Sequence, residues 1–198
     1  PRRLGSTQTK LGDIGYTDVN GDGKIDGEDQ VRIGKPTMPH FTYAFDFSLG
    51  YEGFTLSGLL YGTGERYMTF GNRYQSGEGK YLYYENQLNY WRPDNTGADF
   101  PRISISSGVN GNNNKAGSTF WMRNASYLRL KDLQLSYDFK YKYLKRCDWL
   151  QTCRVNLSGS NLFTISGVSK FFDPETSSTS GDGYPVQRVY SIGVTIGF

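Results

Sequence analysis

The sequence predicts an all-β chain, a run of antiparallel strands belonging to the wall of a transmembrane β-barrel. Three observations predict it. Several segments alternate strictly between apolar and small or polar residues. Those segments are about ten residues long, close to the ~9–11 that a tilted strand needs to cross a bilayer. The polar side of the first and last of them is almost free of charge.

The first strand is the plainest. Phe41, Tyr43, Phe45, Phe47, Leu49 and Tyr51 are apolar at every odd position, and Thr42, Ala44, Asp46, Ser48 and Gly50 lie between them. Such a period of two puts one greasy face on a strand. Glu52-Gly53 turns the chain, and Phe54, Leu56 and Leu60 open a second strand paired to the first as a hairpin. A third alternation runs from Tyr127 to Phe139, with Leu128 and Leu130 on one parity and Leu133, Leu135, Tyr137 and Phe139 on the other. The slip near Lys131-Asp132 predicts a β-bulge. Cys153, Val155, Leu157 and Phe163 mark a fourth strand. In the last, Tyr190, Ile192, Val194, Ile196 and Phe198 alternate with Val189, Ser191, Gly193, Thr195 and Gly197.

A soluble sandwich alternates too, but its outer face ordinarily carries Lys and Glu. Here Asp46 is the one full charge on the polar faces of the first and last strands. That fits a lumen wall backed by a lipid-facing one. The mean hydropathy of −0.59 agrees, because barrel strands hide apolar residues at alternate positions. So do the 25 glycines, 16 tyrosines and 12 phenylalanines, residues of turns and of interfacial aromatic belts. The net charge of +3 is scattered, which argues against nucleic acid as a partner. No apolar run is long enough for a transmembrane helix. Cys147 and Cys153 either form a small-loop disulfide or stay free, and without clustered histidines they make no zinc site.

Short turns follow the first and third strands, and long polar stretches follow the second and fourth. Barrels of this kind keep short turns periplasmic and long loops outside. The expected organisation is therefore an extracellular segment at 1–40 and barrel strands over 41–198, with extracellular loops at 63–125 and 165–186. The C-terminus is then periplasmic. A short helix is expected around Tyr81–Trp91. Five strands is an odd count, and an open sheet leaves edges that lipid cannot satisfy. The chain, which opens at Pro1 without a leader, is therefore read as part of a larger or processed protein.

Further stretches bear a family resemblance. Leu11-Gly12-Asp13-Ile14, the run Asp18 to Asp26, Ile33-Gly34-Lys35-Pro36, Trp91-Arg92-Pro93-Asp94-Asn95, Phe100-Pro101-Arg102 and Ser126 to Leu133 resemble SusC/RagA-type TonB-dependent outer-membrane transporters. So do Gly159 to Thr164, Asp173-Pro174-Glu175, Tyr184-Pro185 and the terminal Phe198. The resemblance implies about five C-terminal strands of a larger, roughly 22-stranded plugged barrel. It further implies import of glycans or peptides, with a SusD-like surface lipoprotein as partner. Energy would come from TonB through an N-terminal part that these residues lack, and the rest of the barrel and outer-membrane lipid would surround the strands. Phe198 then resembles the signal read by the barrel assembly machinery.

Candidate sites follow from residue chemistry. Asp18, Asn20, Asp22, the Lys24 carbonyl and Asp29 stand at positions one, three, five, seven and twelve of an EF-hand-type loop, an oxygen set suited to Ca²⁺. Asp29 departs from the usual Glu, and a solvated Asx turn is the alternative. Tyr83, Tyr84, Tyr90, Trp91 and Arg92 are candidate substrate contacts, since aromatic faces stack on sugar rings; packing against the barrel rim is the competing reading. No catalytic grouping stands out. His40 is the sole histidine, and Glu78 with Glu85 or Asp173 with Glu175 make only chance carboxylate pairs. The reading is an importer and not an enzyme. A secreted calcium-binding β-sandwich that binds carbohydrate is the rival.

Overall fold

The structure is a computed structural model that describes residues 9–75, 84–103, 113–176, 178–179, 183–184 and 186–198. Its strands are β1 (Phe41–Tyr51), β2 (Phe54–Gly64), β3 (Tyr67–Thr69), β4 (Met122–Asn124), β5 (Tyr127–Asp138), β6 (Thr152–Ser166) and β7 (Val189–Gly197). The five long ones form one antiparallel sheet in the order β1-β2-β5-β6-β7, and β3 pairs with β4. The chain divides into two compact units. The sheet unit comprises Pro36–Arg66, Asn124–Ser169 and Tyr184–Phe198. The loop unit comprises Pro1–Lys35, Tyr67–Arg123 and Lys170–Gly183, so residues from both long connections and the N-terminal stretch share one unit.

Register explains why the sheet has two unlike faces. Phe45 lies opposite Leu60, Leu49 opposite Leu56 and Tyr51 opposite Phe54. Leu56 then lies opposite Leu135, Leu135 opposite Leu157, and Leu157 opposite Ile192. Directly opposed residues point to the same side, so these rows make one continuous apolar face. The other face carries Asp46, Thr55, Ser57, Tyr61, Arg129, Asp132, Gln134, Ser136, Arg154, Asn156, Ser158 and Ser191.

The parity slip in β5 is resolved by the expected bulge. Leu59 pairs with Asp132 but Leu60 pairs with Leu130, which leaves Lys131 as the extra residue. The bulge returns Leu128 and Leu130 to the face of Leu133 and Leu135. A matching shift on β6 sits at Asn161, whose backbone takes φ 55°. Without these shifts half of β5 would present its leucines to the polar side.

On β1 and β2, large rings lie over glycines. Phe41 is opposite Gly64, Tyr43 opposite Gly62 and Phe47 opposite Gly58. In each pair a methyl group added to the glycine would run into the facing ring. The ring covers backbone that glycine leaves bare, a device that pins register.

Much of the apolar face is open, although Leu130 on it is buried. Phe45 is 61% exposed, Leu135 40% and Val194 62%. Leu135 and Leu157 belong to interior strands with neighbours on both sides, so their exposure does not come from a sheet edge. Soluble proteins rarely leave such a contiguous apolar surface open. The second sheet of a sandwich is also missing: among the described residues the other sheet is the two-stranded β3–β4 pair.

β1 meets β2 through Glu52 (φ 45°) and Gly53 (φ 85°), two left-handed residues that match the twist of a two-residue hairpin. The Asp138 N–H donates to the Gly53 carbonyl. The helix expected at Tyr81–Trp91 is smaller than that: among the described residues there is one 3₁₀ turn, Glu85–Leu88, and Tyr81 and Tyr83 lie outside them. Beyond Leu88 the backbone is drawn into a bridge between Tyr90 and Phe100, which ends helical geometry. Cys147 and Cys153 are free. Cys153 sits in β6 opposite Ile196, in the apolar rows.

Candidate functional site

The loop unit is built around aromatic rings. Phe70 packs on Tyr74 (4.8 Å between centroids), Phe171 (4.9 Å), Phe100 (5.8 Å), Phe172 (5.9 Å) and Trp121 (6.1 Å). Trp121 is fully buried and Phe70 nearly so. Backbone bonds tie the segments that carry these rings: Phe70 N–H donates to Trp121 O, and Gly71 N–H to Thr179 O. The Tyr74 hydroxyl donates to Phe171 O. Burial raises the Tyr74 phenol's pKa, so it stays a protonated donor. The Arg123 guanidinium lies 5.1 Å from the Phe70 ring. Its burial lowers its pKa and the nearby Asp99 charge opposes that.

A polar clamp holds the Leu11-Gly12-Asp13-Ile14 stretch. The Asp13 carboxylate is fully buried, 3.1 Å from Arg102, and accepts from the Asn114 side chain. Asn114 in turn accepts from Ile14 N–H, and Asn113 donates to Ile14 O. The Trp121 indole donates to Asn114 O, which joins the clamp to the ring cluster. Buried polar groups need such partners, and this network pairs groups from four segments, although Arg102 Nε and Asn113 Oδ1 have no partner among the described residues.

The calcium candidate is a folded loop. Gly21 (φ 79°) and Gly23 (φ 86°) take left-handed turns, and Ile25 is buried. Asp18 accepts from Gly21 and Gly23 N–H, Asn20 from Asp22, Asp22 from Lys24, and Asp29 from Val19 and Asp26. The donor types fit Ca²⁺, and a carboxylate that accepts one N–H keeps lone pairs for a cation. Among the described residues no group of three His, Cys, Asp or Glu side chains is drawn together as a metal centre.

The predicted substrate contacts separate into two kinds. Tyr84 packs on Tyr74 at 5.0 Å. Trp91 lies against Gly12 so closely that a methyl group there would enter its ring. Both therefore help to pack the loop unit. Tyr90 and Arg92 are brought together, with the guanidinium 5.2 Å from the ring, and Arg92 also meets Asp94 at 3.4 Å. Asn95 fixes this turn by donating to Asn89 Oδ1 and Tyr90 O. Tyr83 lies outside the described residues, as does Glu78. Asp173 and Glu175 share one turn in which Asp173 accepts the Glu175 N–H. His40 hydrogen-bonds Glu65.

Two features of the sheet went unnoticed in the sequence. Arg129 is almost fully buried on the polar face, donates to Thr164 Oγ1 at 2.8 Å and lies 5.7 Å from the Tyr127 ring. Lys131, the bulged residue, lies 5.3 Å from the Tyr61 ring. The sign was available: Arg129 alternates with two leucines, which places it on the polar face. At the other end of the sheet Phe198 is exposed and stacks on Trp149 at 5.7 Å and 11°.

No family model matches the chain. Two TonB-dependent receptors of Formosa agariphila, P26 and P3, are 27% and 26% identical to it over 95% and 92% of its length. The chain spans about a fifth of the length of these relatives (20% and 19%). Among solved structures, the RagAB peptide importer in its open-open and closed-closed states aligns with TM-scores of 0.67 and 0.68 at 27% identity. These alignments cover 89% and 93% of the chain and 19% and 20% of the importer chain. The chain is thus similar along almost its whole length to one portion of TonB-dependent receptors and RagA-type transporters. Its sheet is a portion of such a barrel's wall.

Proposed function

We propose that this chain, whose relatives are TonB-dependent receptors, supplies C-terminal strands to an outer-membrane importer. The observation that carries the reading is the apolar face running across the five-stranded sheet and left exposed at Leu135 and Leu157 on interior strands. Hydrocarbon chains cover that face, and the polar face lines the lumen. The long connections and the N-terminal segment join the sheet at the end marked by Phe41, Gly64, Tyr127, Ser166 and Val189. That end is extracellular, and the end bearing Glu52-Gly53 and Phe198 is periplasmic.

The cargo is a peptide or a glycan, with peptides favoured by the likeness to a peptide importer. A SusD-like lipoprotein caps the outer side, and TonB supplies energy through parts of the protein beyond these residues. The chain does no bond chemistry. The Asp18–Asp29 loop takes up Ca²⁺ and stiffens when it does, at Asp18, Asn20, Asp22, Asp29 and the Lys24 carbonyl.

The test is uptake by cells carrying the full-length transporter. Labelled oligopeptides should enter, entry should stop when TonB is removed, and a cysteine at Asn95 should react with an impermeant reagent on whole cells. A cysteine at Glu52 should react only after the outer membrane is opened. Reaction at Glu52 on intact cells would reverse the orientation, and recovery of the full-length protein in the aqueous fraction without detergent would sink the membrane reading.

A further inference from the structure

We propose that the connection between β5 and β6, residues 139–151, binds the headgroups of anionic phospholipid in the periplasmic leaflet. The inference rests on the barrel reading above and adds a ligand to it.

The connection is a string of turns with its interior fixed. Leu144 N–H donates to Phe139 O, Cys147 N–H to Leu144 O, and Leu150 N–H to Cys147 O. Leu150 is buried, and the Lys140 ammonium turns inward to donate to its carbonyl. Three cations remain on the surface: Lys142, Lys145 and Arg146. Among the described residues no carboxylate pairs with any of the three. Asp138 is engaged by the Lys140 N–H and lies 3.8 Å from Arg154.

The connection also continues the lipid-facing rows. Phe54 packs on Tyr137 at 4.4 Å, Tyr137 on Phe139 at 4.9 Å, and Phe139 on Tyr143 at 6.3 Å. Trp149 stacks on Phe198 at the end of the last strand. Tyr141, Tyr143 and Trp149 are exposed, and the Lys145 ammonium lies 5.2 Å from the Tyr141 ring. Amphipathic rings sit at headgroup depth, and long cationic side chains reach from there to phosphates. Cations beside such a belt face an anionic surface, and charge complementarity selects an acidic headgroup over a zwitterionic one. A protein partner would not require the aromatic belt to run on into the lipid rows.

The experiment uses the full-length transporter in nanodiscs that contain equal phosphatidylglycerol and phosphatidylethanolamine, with retained lipids counted by native mass spectrometry. The parent should keep phosphatidylglycerol selectively. Lys142→Gln with Lys145→Gln and Arg146→Gln should reduce that selectivity roughly tenfold or more. Lys10→Gln with Arg32→Gln and Lys35→Gln in the loop unit should leave it unchanged. Equal retention of both lipids by an inserted parent barrel would overturn the proposal alone, as would an equal loss in the loop-unit control. Failure of the parent to insert would overturn the barrel reading and this proposal together.

Discussion

The two units of this chain solve opposite solvent problems with the same kinds of residue. In the loop unit, large rings point inward: Phe70, Tyr74, Phe100 and Trp121 are all buried. In the sheet unit they point outward, and Phe45, Leu49, Ile192 and Val194 are each more than 60% exposed. Water drives the first arrangement, since burying apolar surface is the dominant gain in folding. The second is unfavourable in water and stable only where the surroundings are hydrocarbon. The polar side chains reverse as well. The loop unit buries Asp13, Asn113 and Asn114 in a network, whereas the sheet sends its polar rows to the side that carries Arg129 and Ser136.

The sharpest break of this contrast is Trp121→Ala. It removes a fully buried ring and the donor to Asn114 O, at a cost of about 3–5 kcal/mol to the loop unit. Hydrogen exchange should show protection lost over the described parts of 67–123, while the full-length barrel keeps its compact, heat-modifiable mobility in detergent gels. If both observables fell together, the two units would be one cooperative body.

Ile192→Arg should do the reverse. It places a charge on the lipid face of β7 and should weaken barrel assembly by ~2–4 kcal/mol, while Ser191→Arg, one residue away on the other face, should do less. Refolding yield into lipid vesicles reads this directly. Equal effects at 191 and 192 would undo the assignment of faces.

The same contrast explains what could be read before the structure. Strands were legible because a sheet's facing rule is local: Phe41 to Tyr51 shows its two sides within eleven residues. Even the bulge at Lys131 shows as a slip of parity between Leu130 and Leu133. The loop unit has no such period. Its core joins Phe70, Phe100, Trp121 and Phe172, which lie far apart in the chain and share only Gly- and Asn-rich surroundings. Sequence reasoning therefore put Tyr84 and Trp91 beside Tyr90 and Arg92 as one set of substrate contacts, although two of them are packing residues. Their partners, Tyr74 and Gly12, gave the one usable clue, and only Gly12 stood in a stretch that the family resemblance had marked.

Gly53→Ala gives the smallest effect and tests the end of the sheet where no loop-unit segment joins. Gly53 holds φ 85°, and an L side chain in that region costs about 1–2 kcal/mol. The added methyl would also stand 3.0 Å from Tyr141 Cβ and 3.2 Å from Asp138 O, so the hairpin would press on the β5–β6 connection. Glu52 beside it already accepts a left-handed backbone, which shows that the turn type is set by the strand twist and not by residue preference alone. Gly53→Ala should therefore lower the midpoint of barrel unfolding in urea without changing exchange protection in the loop unit. Gly97→Ala, at a position with open space around it, should change neither. If Gly53→Ala loosened the loop unit instead, the turn would be coupled to the far end of the sheet, and the division into two solvents would no longer follow the division into two units.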